Sequence, residues 1–268
     1  MSARIDPTPV LFIHGMWLHA TSWQPWMRCF EEAGYKPLAP GWPGEPDDIE
    51  AARRAPGLVA NRGIEDLTAH YRRIVAKLPI QPILIGHSFG GLIVQKLLGE
   101  GVGRAAIAIN PAQMKGVLPL PFAQLRAGFP ALGNPFNRSR SVALTAKEFR
   151  YGFGNKLMEQ ESKELFEKWS IPSPARGLFE VAFANFNPRA ASAVNTGNMK
   201  RGPLLLTSAC SDHTVPDVTS RATFRQYRKS TAVTSFKQFV GKGHSLVIDH
   251  GWHDVAVSCL DWLRQQGL

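Results

Sequence analysis

One stretch constrains this chain more than any other: Pro82-Ile83-Leu84-Ile85-Gly86-His87-Ser88-Phe89-Gly90-Gly91. The apolar run Ile83 to Ile85 suits a buried strand, and Leu92 to Leu98 repeats apolar residues at helical spacing. Between them lies Gly-x-Ser-x-Gly. In a strand–turn–helix context it forces its serine into a strained backbone conformation at the tip of a sheet. A β-carbon at Gly86 or Gly90 would collide with the strand or the helix. The helix that follows aims its first N–H groups at any anion that develops beside Ser88.

The rest of the chain supplies the matching units. Pro9 to Ile13 is a β-branched and aromatic run that stops at His14-Gly15. Thr21 and Gln24 form a capping-box pattern ahead of Trp23, Trp26, Met27 and Phe30, and that helix ends near Gly34. Tyr35 to Ala39 reads as a short strand, and Pro46 to Asn61 as a loop with a short helix. Ile64 to Leu78 reads as an amphipathic helix. Arg104 to Ile109 is another buried strand. Strand character returns at Pro203 to Ser208 and Ala232 to Phe239, with helices over Val218 to Tyr227 and Trp252 to Arg264.

Between these, residues 112–200 are rich in Pro, Gly and Phe and show no clear strand, with helices at Lys147 to Tyr151 and Leu157 to Trp169. Alternating β and α units imply an α/β fold: a doubly wound, mostly parallel sheet covered on both faces. The expected organisation is a core of residues 1–111 and 201–268, with residues 112–200 inserted as a helical cap over the strand ends.

Composition excludes several classes. Hydrophobic residues make up 44% of the chain, too many for a disordered protein. No apolar run approaches the roughly 20 residues of a membrane span. Residues 1–7 lack the apolar core of a signal peptide and read as a short arm before the first strand, so a cytoplasmic location is expected. Cys29, Cys210 and Cys259 are scattered, without metal-ligand spacing, and read as buried free thiols. The net charge of +10 is spread without a Lys/Arg tract interleaved with aromatics, so no nucleic-acid partner is expected, although anionic ligands would be attracted.

A serine hydroxyl becomes a useful nucleophile when a base takes its proton and an acid holds that base. His244, in Lys242-Gly243-His244-Ser245 after the last strand, is the candidate base. Asp212, in Ser211-Asp212-His213-Thr214-Val215-Pro216, is the candidate acid. An oxyanion would need two N–H donors: Phe89 at the head of its helix, and Met16 in a loop that Gly15 leaves flexible. Trp17 is a candidate wall of the substrate pocket. Trp42 and Phe89 are further candidates for it, although core packing accounts equally well for Trp42.

Other polar residues have plainer readings. His87 reads as a structural hydrogen-bonder and His14 as a brace of the oxyanion loop. Asp217 reads as a helix cap. His213 is a poor competitor as base, and Asp249 is the runner-up acid. His250 and His253 are better read as helix-start residues than as metal ligands. Asn110 follows its strand and, being an amide, cannot serve as the acid.

His14-Gly15-Met16-Trp17, the Ser88 elbow, the Asp212 segment and Gly243-His244-Ser245 together make the chain resemble the α/β-hydrolase family, over about two thirds of its length. It looks closest to small single-domain bacterial serine esterases with a helical lid. The resemblance implies a sheet of about eight strands, a lid between the sixth and seventh, and no cofactor. On substrate choice the resemblance is silent. The leading reading is a serine hydrolase that cleaves a small-molecule carboxylic ester through an acyl-enzyme, and the aromatic lid with its many phenylalanines favours small-to-medium apolar acyl or aryl esters. Amidase, lactonase, thioesterase, C–C hydrolase, hydroxynitrile lyase and cofactor-free perhydrolase chemistry share the same apparatus, and the segment around Trp17 is similar to that of perhydrolase-like relatives. A slow-turnover small-molecule receptor on the same fold is the rival from another class. The natural substrate and the oligomeric state are not legible.

Overall fold

The computed structural model describes residues 7–268; the expected N-terminal arm falls largely outside them. Its centre is a six-stranded sheet of β1 (Pro9–Ile13), β2 (Lys36–Leu38), β3 (Ile83–His87), β4 (Ala105–Ile109), β7 (Leu204–Ala209) and β8 (Thr234–Phe239). The spatial order is β2-β1-β3-β4-β7-β8, and every pairing is parallel. The central sheet therefore has six strands among the described residues, where the resemblance implied about eight. Pro37 lies on edge strand β2, the place where a sheet tolerates a residue without an N–H.

The order reverses at β1, with β2 on one side and β3 on the other. Right-handed crossovers from that point send α1 (Gln24–Glu32) to one face, and α3 (Ile64–Val75) and α4 (Phe89–Gly99) to the other. In keeping with this, α1 packs against α10 (Trp252–Gln265) and α3 against α4. Strands β1, β3 and β4 are buried along their whole length, which is why they read as unbroken apolar runs. Phe12 on β1 meets Trp23 at 5.0 Å and Phe30 edge-on at 5.3 Å. Each such aromatic pair adds roughly 0.5–1.5 kcal/mol beyond its buried area, and together they pin the strand that leads into His14-Gly15.

Local expectations needed correction in three places. Thr21 and Gln24 form no capping box: α1 begins at Gln24 without a side-chain cap, and Thr21 pairs with His19, the cap of a preceding 3-10 turn. Asp217 is the first residue of α9 (Asp217–Gln226) rather than its cap. It binds Ser208, Gln238 and Arg221 instead, and although partial burial opposes ionisation these partners hold its carboxyl below the ordinary range. Of the three free thiols only Cys259 is buried; Cys29 is half-buried and Cys210 exposed.

Residues 112–200 hold α5 (Phe122–Leu132), α6 (Ala146–Gly152), α7 (Glu159–Trp169) and α8 (Arg176–Ala182). They also hold a small antiparallel ribbon, β5 (Ser141–Val142) with β6 (Ser173–Pro174), where no strand was expected. The remaining helix, α2 (Ile49–Arg54), is the short one expected between β2 and α3. The inserted elements attach to the loops at the carboxyl ends of the central strands. Trp17 Nε1 donates to the Val142 carbonyl at 3.0 Å, and Asn155 Nδ2 to the Ser211 carbonyl at 2.8 Å. Thr214 Oγ1 donates to the Gly152 carbonyl at 2.9 Å.

Candidate active site

Because the six strands are parallel, the residues that follow them gather along one edge of the sheet. Ser88 follows β3 directly, with φ of 54° and ψ of −115°. A β-carbon on Gly86 would sit 2.2 Å from the Gly90 carbonyl oxygen, and one on Gly90 would sit 2.1 Å from that of Ile13. No larger residue fits either position without displacing backbone, so the sharp turn at Ser88 depends on both.

The structure brings Ser88, His244 and Asp212 into one hydrogen-bonded chain. Ser88 Oγ lies 2.9 Å from His244 Nε2, and His244 Nδ1 lies 2.6 Å from Asp212 Oδ2. All three are buried. A carboxylate on Nδ1 fixes the tautomer in which Nε2 accepts, so the serine hydroxyl donates to it. The His244 ring is held between Phe153, edge-on at 4.9 Å, and His87 at 4.6 Å.

Asp212 is fully engaged. Its Oδ1 accepts the N–H groups of Thr214 at 2.7 Å and Val215 at 2.8 Å. Its Oδ2 accepts His244 Nδ1 and also Asn110 Nδ2, the latter at 2.7 Å. Asn110 has φ of 43° and is fully buried. It is fixed by Thr207, whose hydroxyl donates to its Oδ1 and accepts from its N–H, both at 3.2 Å. Sequence reasoning placed Asn110 after its strand but missed this contact; an asparagine closing a buried strand was the available signal.

The loop after β1 lies directly over the serine. A β-carbon on Gly15 would fall 2.8 Å from Ser88 Cβ and 3.1 Å from the His87 carbonyl oxygen. Close approach is thus what requires glycine there. The positive φ in this loop belongs to Trp17, at 61°, rather than to Gly15. Trp17 is anchored by its N–H to Ser173 Oγ at 2.6 Å. Phe89 is the first residue of α4, so its N–H has no intrahelical acceptor. Met16, Trp17, Ser88 and Phe89 line one cavity of about 490 Å³, whose other walls come mostly from residues 112–132 and 178–186. Trp42 is not among them; it stacks on His14 at 4.9 Å and packs toward Phe89.

Three side chains around this loop, His14, Glu45 and His87, add to what the sequence pattern conveyed. His14 places Nδ1 2.9 Å from the Gly15 carbonyl and Nε2 3.0 Å from Glu45 Oε2, the latter a close contact without hydrogen-bond alignment. Glu45 lay in a Gly/Pro loop that gave no sign of a role. Its burial opposes ionisation, but His14, His19 and the Ala20 N–H outweigh that and hold its carboxyl below the ordinary range. His87, expected to be a structural hydrogen-bonder, approaches the His244 backbone yet closes no well-formed hydrogen bond among the described residues. Burial, then the neighbouring His244, push its pKa well below the ordinary histidine value, so it adds no positive charge beside His244.

The remaining candidates lie apart. His213 Nδ1 pairs with the Tyr151 carbonyl at 3.1 Å. Asp249 braces its own loop through Ser245 Oγ at 2.9 Å, and His250 pairs with Glu161. No group of three or more His, Cys, Asp or Glu side chains among the described residues is arranged to hold a metal ion. No helix among them is long and apolar enough to cross a membrane.

A strained serine after β3, a histidine after β8 and a parallel sheet between them are the frame of one large family, and its sequence profile, the alpha/beta hydrolase family, matches residues 10–257. The chain belongs to the alpha/beta hydrolase family. Solved structures agree on the fold of this alpha/beta hydrolase. A monoacylglycerol lipase from Paleococcus ferrophilus superposes with a TM-score of 0.67 at 20% identity, covering 98% of both chains. The methylesterase MES16 from Arabidopsis gives 0.65 at 16% identity, covering 96% of this chain and 99% of that one. A pyrethroid hydrolase from Sphingobium faniae JZ-2 gives 0.62 at 18% identity, covering 95% and 96%. Among curated proteins, none matches significantly.

Proposed function

We propose that this alpha/beta hydrolase is a serine esterase that cleaves small-to-medium apolar or aryl carboxylic esters through an acyl-enzyme. The observation that carries the reading is the continuous Ser88–His244–Asp212 chain, at 2.9 and 2.6 Å, at the wall of an apolar-lined cavity. His244 takes the Ser88 proton as Oγ attacks the ester carbonyl. Asp212 keeps the imidazole oriented and stabilises its positive charge without taking the proton. The Met16 and Phe89 N–H groups hold the negative oxygen of the tetrahedral intermediate. The protonated His244 then protonates the departing alcohol. Water activated by the same imidazole releases the acid and restores Ser88.

Residues 112–200 act as a cap over residues 1–111 and 201–268, and supply most of the substrate contacts. Trp17 links the two parts, since it lines the cavity and is bonded to both strands of the β5–β6 ribbon. The polar groups on that wall are already occupied: Gln124 Nε2 donates to Gln113 Oε1, and Asn185 Nδ2 to the Val117 carbonyl. An apolar acyl or aryl group therefore suits the pocket better than a charged one. Three structural relatives are named for lipid, methyl-ester and pyrethroid hydrolysis, which supports ester chemistry without choosing among these substrates.

Intact-mass measurement after exposure to an aryl fluorophosphonate tests the reading. The wild type should gain one covalent adduct that maps to Ser88, and Ser88→Ala should gain none. Labelling that survives Ser88→Ala, or a folded wild type that resists labelling, would remove Ser88 from the proposed role.

A further inference from the structure

Beside the cavity, the outer face of residues 112–200 carries large apolar side chains that no other described residue covers. On α5, Phe122, Leu125 and Phe129 follow one another at helical spacing and face outward, with Phe122 76% and Phe129 68% exposed, while Ala127 and Ala131 face the core. Leu118, Leu120 and Phe186, the last 84% exposed, line the rim of the cavity itself, as Leu125 does, whereas Phe122 and Phe129 border a neighbouring hollow outside it. Contiguous exposed apolar surface of this kind marks an interaction site.

Charge says what it meets. Residues 112–158 carry seven Lys or Arg against the single acid Glu148, a net +6 of the chain's +10. Arg126 and Lys147 border the same hollow as Phe122 and Phe129, and Arg138 and Arg189 border another with Phe183. All four cations are exposed, and none is ion-paired among the described residues. Apolar side chains that project from a basic surface are the composition that seats a protein at the headgroup boundary of an anionic membrane. A second copy of this chain would bring two such cationic segments together and be repelled. A protein partner on the rim would plug the cavity, whereas a lipid surface would feed apolar molecules into it.

We propose that the outward stripe of α5, with the cavity rim and its flanking cations, docks this protein onto an anionic phospholipid surface and opens its active site toward that surface. The docking itself does not depend on the esterase reading; only the delivery of an ester to Ser88 rests on it.

The test is sedimentation of Ser88→Ala protein with vesicles of phosphatidylcholine, with or without phosphatidylglycerol, so that binding is read without turnover. Partitioning should be about tenfold stronger on the anionic vesicles and should weaken with salt. In the Ser88→Ala background, Phe122→Ser with Phe129→Ser should lower it about tenfold, and Arg126→Gln with Lys147→Gln should do so on anionic vesicles only. Unchanged thermal unfolding establishes that the variants are folded. In the Ser88-intact protein, Phe122→Ser with Phe129→Ser should slow hydrolysis of vesicle-borne long-chain esters and leave that of soluble p-nitrophenyl acetate unchanged. Equal partitioning of Ser88→Ala protein with and without the Phe substitutions, no preference for anionic vesicles, or a dimer in sedimentation velocity that the Phe substitutions dissolve would each overturn the proposal. Loss of activity on every ester with vesicle binding intact would instead count against the esterase reading alone.

Discussion

Asn110 Nδ2 donates to Asp212 Oδ2 at 2.7 Å, the same oxygen that receives His244 Nδ1. Two donors therefore converge on one carboxylate oxygen, while two backbone N–H groups hold the other. The carboxylate has no freedom to rotate away from the imidazole, and Thr207 fixes the asparagine in turn. On the proposed mechanism, Asn110 is thus a positioning residue acting through Asp212.

Replacing Asn110 tests that role. Asn110→Ala leaves Asp212 Oδ2 one donor short and should cost roughly 1.5–3 kcal/mol of stability, as lost hydrogen bonds to charged groups do. On the proposed mechanism kcat should fall while KM changes little. Asn110→Asp sets a second carboxylate against Asp212, so its stability deficit should be larger at pH 8 than at pH 5, where protonation relieves the repulsion. Urea unfolding at the two pH values and steady-state kinetics would check both.

Gly15→Ala should separate catalysis from binding. The new methyl group would press on Ser88 Cβ and the His87 carbonyl, displacing the loop that carries Met16. Loss of one oxyanion donor lowers kcat by about 10²–10³-fold. With Met16 as the oxyanion donor of the proposed mechanism, the expectation is a fall of that order in kcat with a small change in KM, measured on a p-nitrophenyl ester.

Glu45 makes part of the stability pH-dependent. Its carboxyl titrates below the ordinary value of 4.5 in the folded protein, so the folded state binds fewer protons than the unfolded one as pH falls through that range. The stabilisation is complete above the ordinary carboxylate range and is lost as pH drops through the folded value. Glu45→Gln should therefore be less stable than wild type at pH 7, with the gap narrowing in acid. Unfolding free energies measured from pH 7 to about pH 3 would show this convergence; a constant gap would contradict it.

The thiols should react in order of exposure. Burial pushes the Cys259 thiol up to about 12, whereas Cys210 is at the surface and Cys29 half-buried. Iodoacetamide at pH 8 followed by peptide mapping should find Cys210 modified first, Cys29 more slowly, and Cys259 after unfolding only.

The parallel core was legible because its strands are buried on both faces and so read as unbroken apolar runs, each followed by Gly, Asn or a polar turn. That pattern also singled out Ser88, Asp212 and His244, since each comes shortly after a buried or edge strand. Residues 112–200 were harder. Pro121 takes the N-cap position of α5, where no N–H is needed, but Pro130 lies within that helix at a place its missing N–H and ring disfavour, so the sequence there carries no clean helical signal. The two-residue strands β5 and β6 are too short to show any period. Asn110 meets Asp212 from 102 residues away and Glu45 meets His14 from 31 residues away, contacts that no local pattern encodes.

Hydrolysis of p-nitrophenyl esters from acetate to decanoate, by wild type and Ser88→Ala, tests the central claim most directly. Multiple turnovers by the wild type, with a loss of about 10³-fold or more in Ser88→Ala and comparable losses in His244→Ala, are the predicted result. A folded wild type that stops near one equivalent of p-nitrophenol, or a Ser88→Ala variant that turns over as fast as wild type, would contradict it.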